Sequence, residues 1–479
     1  MEKNLIYDIE DKPKLPQLLM FALQQVLAIL AATIAVPTII GLPTQIPAAI
    51  LGAGVGTLVY QLFTRFKSPV FLGSSFAFLG SLSVAVCYGY CGIILGSVVA
   101  GLVYVVLAIV IHFVGTDWVN RLMPPVIIGP TVALIGLSLA GNAMGDIVKA
   151  NASTGFASYN LAGLLCGLTA FFVIIICSTQ KRYQMPKLIP FILGIAAGYA
   201  VAAVFTVIGN IGNWDYLKIV NFQSVTDNFI AADGSFKGLS AFFGVPKFAL
   251  WGAIDELSTG TVSPEILNAN GAATTLTLGG VAEVIIAFLP VALVVFAEHI
   301  ADHKNLSSII GRDLIAEPGL KRTLLGDGVG SMAGTILGIC PNTTYGESVG
   351  CVAITRNASI ATITTTAFLC IGLSFLRPVT VVLQTIPSCV MGGVCLTLYG
   401  FIAVSGLKMF KDLDLNDNKN LFVVASILIS GIGGLSIHIP YGFADGKITD
   451  TIQITSIATA LIVGIITNAV LSKIQNKKK

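Results

Sequence analysis

The chain has 479 residues, of which 55% are hydrophobic and only 11% are charged, and its formal net charge is +3. A soluble globular protein carries about 25% charged residues, so this composition excludes a soluble domain and indicates an integral membrane protein in contact with lipid. The small net charge gives no argument for a nucleic-acid partner.

The polar N-terminal segment, MEKNLIYDIEDKPKLPQ, is mixed in charge. It lacks the basic region, the short apolar core and the small-residue cleavage site of a signal peptide, so we expect it to be retained. The nine cysteines lie mostly inside apolar runs without paired spacing. They are therefore interpreted as small buried hydrophobic residues rather than as disulfides or metal ligands.

Apolar runs of about 20 residues, the length that crosses a bilayer, recur along the whole chain. Eleven runs are clear, at 18–40, 47–63, 93–114, 125–141, 161–178, 188–208, 279–299, 358–376, 379–405, 421–436 and 452–472. Two further regions are apolar but interrupted, and they lie at 69–88 and 323–355. If the first interrupted region is one span and the second is two, the chain has fourteen spans.

The basic residues support an even number of spans. Lys and Arg collect in alternate loops and in the tail KIQNKKK, whereas 141–158 and the long polar segment 209–278 are poorer in them. Cytoplasmic loops are enriched in Lys and Arg, so both termini are predicted to be cytoplasmic.

Two pairs of features recur at nearly the same offset. The motifs PPVIIGPTVALIG and PSCVMGGVCLTLYG place Gly136 and Gly400 264 residues apart. The interrupted spans, centred on Phe76 and Tyr345, are 269 residues apart. These offsets indicate a duplicated unit of seven spans, and a tandem repeat of an odd number of spans must be inverted.

The two interrupted spans are the candidate ligand site. Backbone that is neither helical nor part of a closed barrel persists at membrane depth only where protein buries it or where it lines a cavity. Thr343 and Thr344 favour extended backbone, while Pro341 and Gly346 oppose a continuous helix. Helices that begin after each break would direct their positive N-terminal ends at one point. Paired interrupted spans at matching positions indicate a transporter binding site near the midplane.

The stretch VALVVFAEHIADHKN carries ionisable residues at the end of an apolar segment. Glu298 directly follows apolar residues, and a carboxyl group at that depth is costly and by default functional. Asp302 lies four residues later, on the same helix face. Glu347 lies between the apolar pieces of the second interrupted span and is a second candidate, whereas Glu283 lies near a helix end and is predicted to be interfacial.

The histidines of this stretch allow other interpretations. His299 and His303 share a neighbouring helix face, and we expect them to lie at the cytoplasmic interface near Lys304. A His-x3-His pair beside acids can also bind zinc, although the sequence offers no evident third ligand. A membrane metallohydrolase is therefore an alternative from another functional class.

These motifs also carry a family resemblance. AEHIADH, RDLIAEPGL, PNTTYGESVG followed by AITR, GSSFAF and PSCVMGGV are similar to motifs of the nucleobase–cation symporter-2 family, also called nucleobase–ascorbate transporters. PNTTYGE resembles the uracil permease branch. The resemblance runs from about residue 10 to the end of the chain.

The resemblance implies an all-α polytopic protein of fourteen spans in two inverted repeats, with short antiparallel strands in spans 3 and 10. It implies a ligand-binding core domain (1–114 and 279–377), a gate domain (115–208 and 378–479) and an extracytoplasmic polar loop (209–278). It further implies a cell-membrane transporter without cofactor or metal, and a homodimer formed through the gate domains.

Carried over residue by residue, the family's substrate positions fall on Glu298, Glu347, Gly346, Tyr345, Phe76 and Ala32. The proton-coupling positions fall on Glu298 and Asp302. One departure matters: the position four residues after the span-8 glutamate is His in the best-known uracil permease pattern, whereas this chain has Asp302. An Asp–Glu pair titrates differently from a His–Glu pair, so a different pH optimum is expected.

The chemistry of these residues agrees with uracil as the substrate and protons as the coupling ion. Uracil presents two N–H donors and two carbonyl acceptors, and carboxylates accept strong hydrogen bonds from N–H groups. Burial favours the protonated form of a carboxyl, which allows Glu298 to carry a proton. A xanthine or urate carrier, coupling to sodium, and a channel are the other hypotheses within membrane transport.

Overall fold

The computed structural model describes residues 5–148, 159–182, 186–187, 189–231, 233–444 and 447–476. The first half forms α1 (Leu15–Ile39), α2 (Ile46–Phe63), β1 (Leu72–Ser74), α3 (Leu79–Val86), α4 (Gly89–Val114), α5 (Asp117–Leu122), α6 (Pro125–Val148), α7 (Leu161–Thr179) and α8 (Pro190–Gly212). The segment after it forms α9 (Gln223–Phe229), α10 (Ala249–Thr259) and α11 (Pro264–Ala269).

The second half repeats the element types of the first half. It forms α12 (Leu278–Ile310), α13 (Leu320–Leu337), β2 (Asn342–Thr344), α14 (Gly346–Thr355), α15 (Ile360–Ser374), α16 (Arg377–Gln384), α17 (Ser388–Lys408), α18 (Asn418–Ile432), β3 (Ile437–Ala444), β4 (Lys447–Ile454) and α19 (Ser456–Asn476). The strands β3 and β4 pair as an antiparallel hairpin, which has no counterpart among the described residues of the first half.

Among the described residues, nine helices are long and apolar enough to cross a membrane. They are α1, α4, α6, α7, α8, α12, α17 and α19, together with α2 and the short 3-10 turn that precedes it. The prediction of a mostly helical membrane protein with many spans is therefore confirmed.

Three of the predicted apolar runs differ from the helices. The run 379–405 is two helices, because α16 ends at Gln384 and α17 begins at Ser388. Pro387 explains this break, since a proline disfavours helical backbone at the residue before it. The runs 358–376 and 421–436 correspond to α15 and α18, which have 15 residues each and are shorter than the roughly 20 residues of a perpendicular span.

The strands β1 and β2 pair with each other deep in the protein. The register is antiparallel, with Leu72 opposite Thr344 and Ser74 opposite Asn342. Helix side chains satisfy the outer edges of this ribbon: the Leu72 N–H donates to Thr57 Oγ1 (2.9 Å), and the Asn342 N–H donates to Ser331 Oγ (3.0 Å). A two-stranded ribbon can persist at membrane depth because protein donors and acceptors replace the missing water.

A seam of glycines brings α2 and α13 into close contact beside this ribbon. A Cβ atom on Gly330 would lie 2.7 Å from the Gly56 carbonyl oxygen, and one on Gly334 would lie 2.7 Å from the Gly52 carbonyl oxygen. Small residues let helix backbones approach closely in membranes. The seam also holds β2, since Asn342 Nδ2 donates to the Gly52 carbonyl (2.8 Å).

The N-terminal segment lies beside the ends of α12 and α14. The Ile6 N–H donates to the Arg356 carbonyl (2.8 Å), and the Asp8 carboxylate pairs with Arg312 (2.6 Å). Arg312 follows the end of α12, and Arg356 follows the end of α14. These contacts define one side of the protein, called the N-terminal side below.

The polar segment 209–278 is partly helical and joins several helix ends on the opposite side. Glu265 of α11 is its main polar anchor, because its carboxylate accepts from Gln45 (2.7 Å) and Tyr90 (3.0 Å) and pairs with Lys247. Burial raises the pKa of Glu265, but the hydrogen bonds and the Lys247 charge outweigh it and lower the pKa below its usual value.

We expect Glu265→Gln to destabilise the protein by about 1 kcal/mol at pH 7, since these bonds are charge-assisted but partly exposed to water. The lowered pKa means that the ionised carboxylate stabilises the fold above pH 4.5, and that this contribution is lost as the pH falls through the folded-state pKa. Thermal unfolding in detergent at pH 7 and pH 4 measures this, with the difference from wild type shrinking at pH 4. Asp255→Asn, at an exposed residue of α10, is the control.

Candidate functional site

A cavity of about 530 Å³ reaches the strand pair from the N-terminal side. Its deep end is lined by Ser74, Ser75, Phe76, Glu298, Asp302, Thr343, Thr344, Tyr345, Gly346 and Glu347. Its outer part is lined by residues near helix ends, among them Ser178, Asn305, Ile309, Ile354 and Lys408. Helices α6, α7, α8 and α17 form the wall opposite α12, β2 and α14.

Helix α12 carries Glu298 into this cavity. The helix begins where Thr277 Oγ1 accepts from the Gly280 N–H (3.1 Å) and ends at Gly311, whose φ of +67° suits glycine. At 33 residues it is about 50 Å long and exceeds the roughly 30 Å hydrocarbon core. Glu298 follows the buried residues Val294 to Ala297; it is itself half-buried and lines the cavity.

The carboxyl of Glu298 has one oxygen without a hydrogen-bond partner in the part of the chain that the structure describes. Its Oε2 atom is buried without a hydrogen bond among the described residues. The hydroxyls of Ser74 and Ser75, which line the same end of the cavity, are also buried, and neither has a hydrogen bond to a residue that the structure describes. Buried polar groups are almost always hydrogen-bonded, so three unpaired groups around one cavity indicate a place for a polar ligand.

The second acidic position, Asp302, is already engaged. Thr344 Oγ1, at the end of β2, donates to Asp302 Oδ2 at 2.6 Å. One turn of helix separates Asp302 from Glu298, so both carboxyls line the cavity. Only Asp302 is hydrogen-bonded to the strand. Glu347 lies in the first turn of α14, where the helix dipole favours an anion.

Phe76 and Tyr345 enclose the strand pair. The Phe76 ring lines the cavity and packs edge-on against Tyr399 of α17, with ring centroids 5.2 Å apart. The Tyr345 hydroxyl donates to the Ser74 carbonyl (3.1 Å), and its ring lies directly over Gly73. A side chain at position 73 would collide with this ring, so only glycine fits there.

Six predicted site residues therefore line one cavity: Phe76, Glu298, Asp302, Tyr345, Gly346 and Glu347. Ala32 is fully buried in α1 and is not among the lining residues, whereas Ala28, one turn earlier, is. Among the described residues, no group of three His, Cys, Asp or Glu side chains is arranged to hold a metal ion.

The interfacial prediction for the histidines is wrong. His299 and His303 are both fully buried, on the side of α12 that faces α2 and α13. His303 Nε2 is 2.8 Å from the Tyr60 hydroxyl, and His299 Nδ1 is 2.7 Å from Asp327 Oδ2. Both side chains therefore lie inside the protein rather than at its surface.

Asp327, Ser74 and Ser75 were missed by the sequence analysis as individual site residues. Asp327 is fully buried in α13, and its sequence context, LLGDGVG, contained the signal: an acid inside an apolar, glycine-rich segment. The two serines stand in the interrupted span GSSFAF, where polar side chains at membrane depth indicated a lined cavity.

Comparison with known proteins places these features in a class. The transmembrane domain of a cyanobacterium bicarbonate transporter, BicA, is similar with a TM-score of 0.52 and 14% identity, over 97% of this chain and 99% of that chain. SLC26A9 gives a TM-score of 0.58 at 11% identity, over 97% of this chain and 67% of that chain. These likenesses concern the fold, which is that of a mostly helical, polytopic membrane transporter.

The sequence relatives give the family. A profile described as the Permease family matches residues 16–439. The uracil permease of Bacillus caldolyticus is 36% identical over 97% of this chain and 94% of its own length. The uracil permeases of Bacillus subtilis (strain 168) and Escherichia coli (strain K12) are 32% and 30% identical, over 100% and 95% of this chain and 98% and 92% of their own lengths. The chain belongs to the nucleobase–ascorbate transporter family.

Proposed function

We propose that the protein is a uracil permease that takes up uracil together with protons across the cytoplasmic membrane. The observation that carries this proposal is the buried Glu298 Oε2 atom at the deep end of the cavity, beside two strand–helix junctions; it has no hydrogen bond to any described residue. The uracil permeases that are 30–36% identical over nearly the whole chain support uracil as the substrate.

The chemistry of uracil matches the groups at this end of the cavity. Glu298 accepts from the ring N–H groups, and charge-assisted hydrogen bonds of this kind are about twice as strong as neutral ones. The hydroxyls of Ser74 and Ser75 and the free N–H groups at the start of α14 donate to the two carbonyls. Phe76 packs against the ring, and Glu347 supplies a second acceptor.

The order of the elements supports fourteen spans in two repeats. The order α1, α2, β1, α3 to α8 recurs as α12, α13, β2, α14 to α19, with α5 and α16 as the matching short helices. Each repeat then has seven spans, the third of which is a strand followed by a helix. Seven reversals of direction invert the second repeat relative to the first.

In this layout a core domain (1–114 and 279–377) holds uracil, and a gate domain (115–208 and 378–479) faces it across the cavity. Residues 209–278 lie on the extracytoplasmic side, and both termini are cytoplasmic, in agreement with the basic tail. The cavity opens on the N-terminal side, which corresponds to an inward-open state. A rigid movement of the core against the gate would expose Glu298 to either side in turn.

Protons couple to uracil through the carboxyls of the cavity. Glu298 and Asp302 lie one helical turn apart, and like charges this close in a low-dielectric site favour the binding of a proton. A proton taken up with uracil and released inside would make uptake depend on the proton gradient. A homodimer through the gate domain stays a prediction from the family resemblance.

Thermal-shift measurements on purified protein, with a panel of nucleobases at pH 6 and pH 8, test the proposal. We expect uracil at 100 times its Kd to stabilise the protein by about 2.7 kcal/mol, and the stabilisation to depend on pH. Stabilisation by xanthine or urate without any by uracil would instead identify a purine carrier. A panel in which no nucleobase changes the melting temperature would refute the assignment.

A further inference from the structure

A second buried acid–base pair lies behind the cavity, on the other side of α12. It consists of His299 and Asp327, and both side chains are almost completely buried, with exposed fractions of 0% and 1%. His299 Nδ1 is 2.7 Å from Asp327 Oδ2, and His299 Nε2 is 3.0 Å from Thr323 Oγ1. The cavity is not lined by either residue, so the transport pathway described above does not account for the pair.

The hydrogen bonds fix how many protons the pair holds. The Thr323 hydroxyl donates its only hydrogen to the Leu320 carbonyl (3.1 Å), so it can only accept from His299, and Nε2 must carry a hydrogen. The short contact between Nδ1 and Asp327 Oδ2 requires a second hydrogen, on one atom or the other. The pair therefore holds two protons and is neutral overall, one proton more than a neutral imidazole beside a carboxylate.

Several titratable side chains surround the His299–Asp327 pair, so the charge of the pair affects theirs. The titratable groups that face the pair are Tyr60 from α2, Tyr104 from α4, and Glu298, Asp302 and His303 from α12. The imidazole of His303 is not hydrogen-bonded to the imidazole of His299, because its Nδ1 donates to the His299 carbonyl (2.7 Å) and its Nε2 contacts the Tyr60 hydroxyl. Three acids thus share this region, and Asp327 interacts electrostatically with both Glu298 and Asp302.

The pair also contacts the strand that forms the binding site. Thr343 Oγ1 of β2 donates to Asp327 Oδ2 at 3.4 Å, and Thr343 lines the cavity. The other oxygen of Asp327, Oδ1, is buried without a hydrogen bond among the described residues. An ionised carboxylate with an unpaired buried oxygen is costly, so loss of the proton would strain this arrangement at the back of β2.

We propose that the His299–Asp327 pair is a proton-holding site that acts on uracil from behind the cavity. With its proton, the pair is neutral, and Glu298 can bind uracil as a carboxylate. Without its proton, the pair carries a negative charge near Glu298, and repulsion between the two buried charges weakens the uracil complex. Because coupling is reciprocal, uracil bound at Glu298 equally retains the proton on the pair. This inference rests on the proposed function and adds a coupling site to it.

Asp327→Asn in proteoliposomes tests the proposal. The amide can donate to His299 Nδ1 and so keeps the contact, but it has no proton to release. We expect exchange of labelled uracil across the membrane without a gradient to continue, because that exchange needs no net proton movement. Accumulation driven by an imposed pH gradient should fall below the wild-type level, because one of the two proton sites is lost while Glu298 and Asp302 remain. Uracil affinity, which we expect to vary about 10-fold with pH in wild type, should vary much less in the variant.

Matched variants make each result informative. Tyr60→Phe removes the hydroxyl that contacts His303, the neighbouring histidine, and leaves the hydrogen bonds of the His299–Asp327 pair in place. This variant should retain gradient-driven accumulation. If Asp327→Asn fails to fold, His299→Gln replaces it, since loss of the imidazole should change the pH profile of uptake. Accumulation by Asp327→Asn equal to wild type, or an unchanged pH profile in His299→Gln, would overturn the inference. A wild-type protein that neither binds uracil nor accumulates it would refute the proposed function instead.

Discussion

Replacement of Glu298 by Gln is expected to weaken uracil binding by about 30- to 150-fold, which corresponds to about 2–3 kcal/mol. The side chain keeps its size, but one acceptor oxygen becomes an NH2 donor that faces the N–H groups of the ring. The Oε2 atom has no hydrogen bond among the described residues, so an NH2 group at that position breaks no internal bond seen there, and the fold should persist. Equilibrium binding of labelled uracil to purified protein gives the affinity, and thermal unfolding without ligand gives the stability.

Glu283→Gln is the matched control for this prediction. It makes the same chemical change in the same helix, but Glu283 lies near the start of α12 and accepts from Tyr88, away from the cavity. We expect this variant to bind uracil with wild-type affinity. Equal affinities for Glu298→Gln and wild type would show that the ring N–H groups bind elsewhere, and the proposed site would have to be abandoned.

The fold was predictable from the sequence wherever a span is continuous. Long apolar runs such as those of α1 and α4 leave no alternative to a membrane helix, because only helices and closed barrels satisfy the backbone in hydrocarbon. The break before α17 was harder to place, since the apolar run 379–405 continues through it and Pro387 is the only local signal. The helicity of α9 to α11 was not visible either, because short helices there depend on contacts such as those of Glu265.

The site residues that could be predicted from the sequence are the acidic ones that lie within apolar runs, because an ionisable residue in such a run indicates function. Glu298, Glu347 and the interrupted spans stood out on that basis, and the structure brings them to one cavity. The histidines did not, because their partners Asp327 and Tyr60 come from other helices, α13 and α2. A helical-face argument places His299 beside Glu298 but cannot say that α13 supplies an acid there. Tertiary pairing of this kind carries no signal in local periodicity.

Gly334→Ala is expected to destabilise the protein by about 3 kcal/mol or more and to abolish uracil binding. The added methyl would lie 2.7 Å from the Gly52 carbonyl oxygen and would collide with the Asn342 side chain, so α2 and α13 must separate. Asn342 opens β2 and donates to the same carbonyl, so the separation displaces the strand that ends beside Glu298. Thermal unfolding and uracil binding measure the two effects.

Gly372→Ala provides the control, because a Cβ atom there meets nothing within 4 Å and alanine favours the helix α15. That variant should unfold at or slightly above the wild-type temperature and bind uracil normally. The contrast between the two glycines tests whether the site depends on the glycine seam. If Gly334→Ala kept both its melting temperature and its affinity, the two helices would not approach as closely as described. The position of β2 would then need another support.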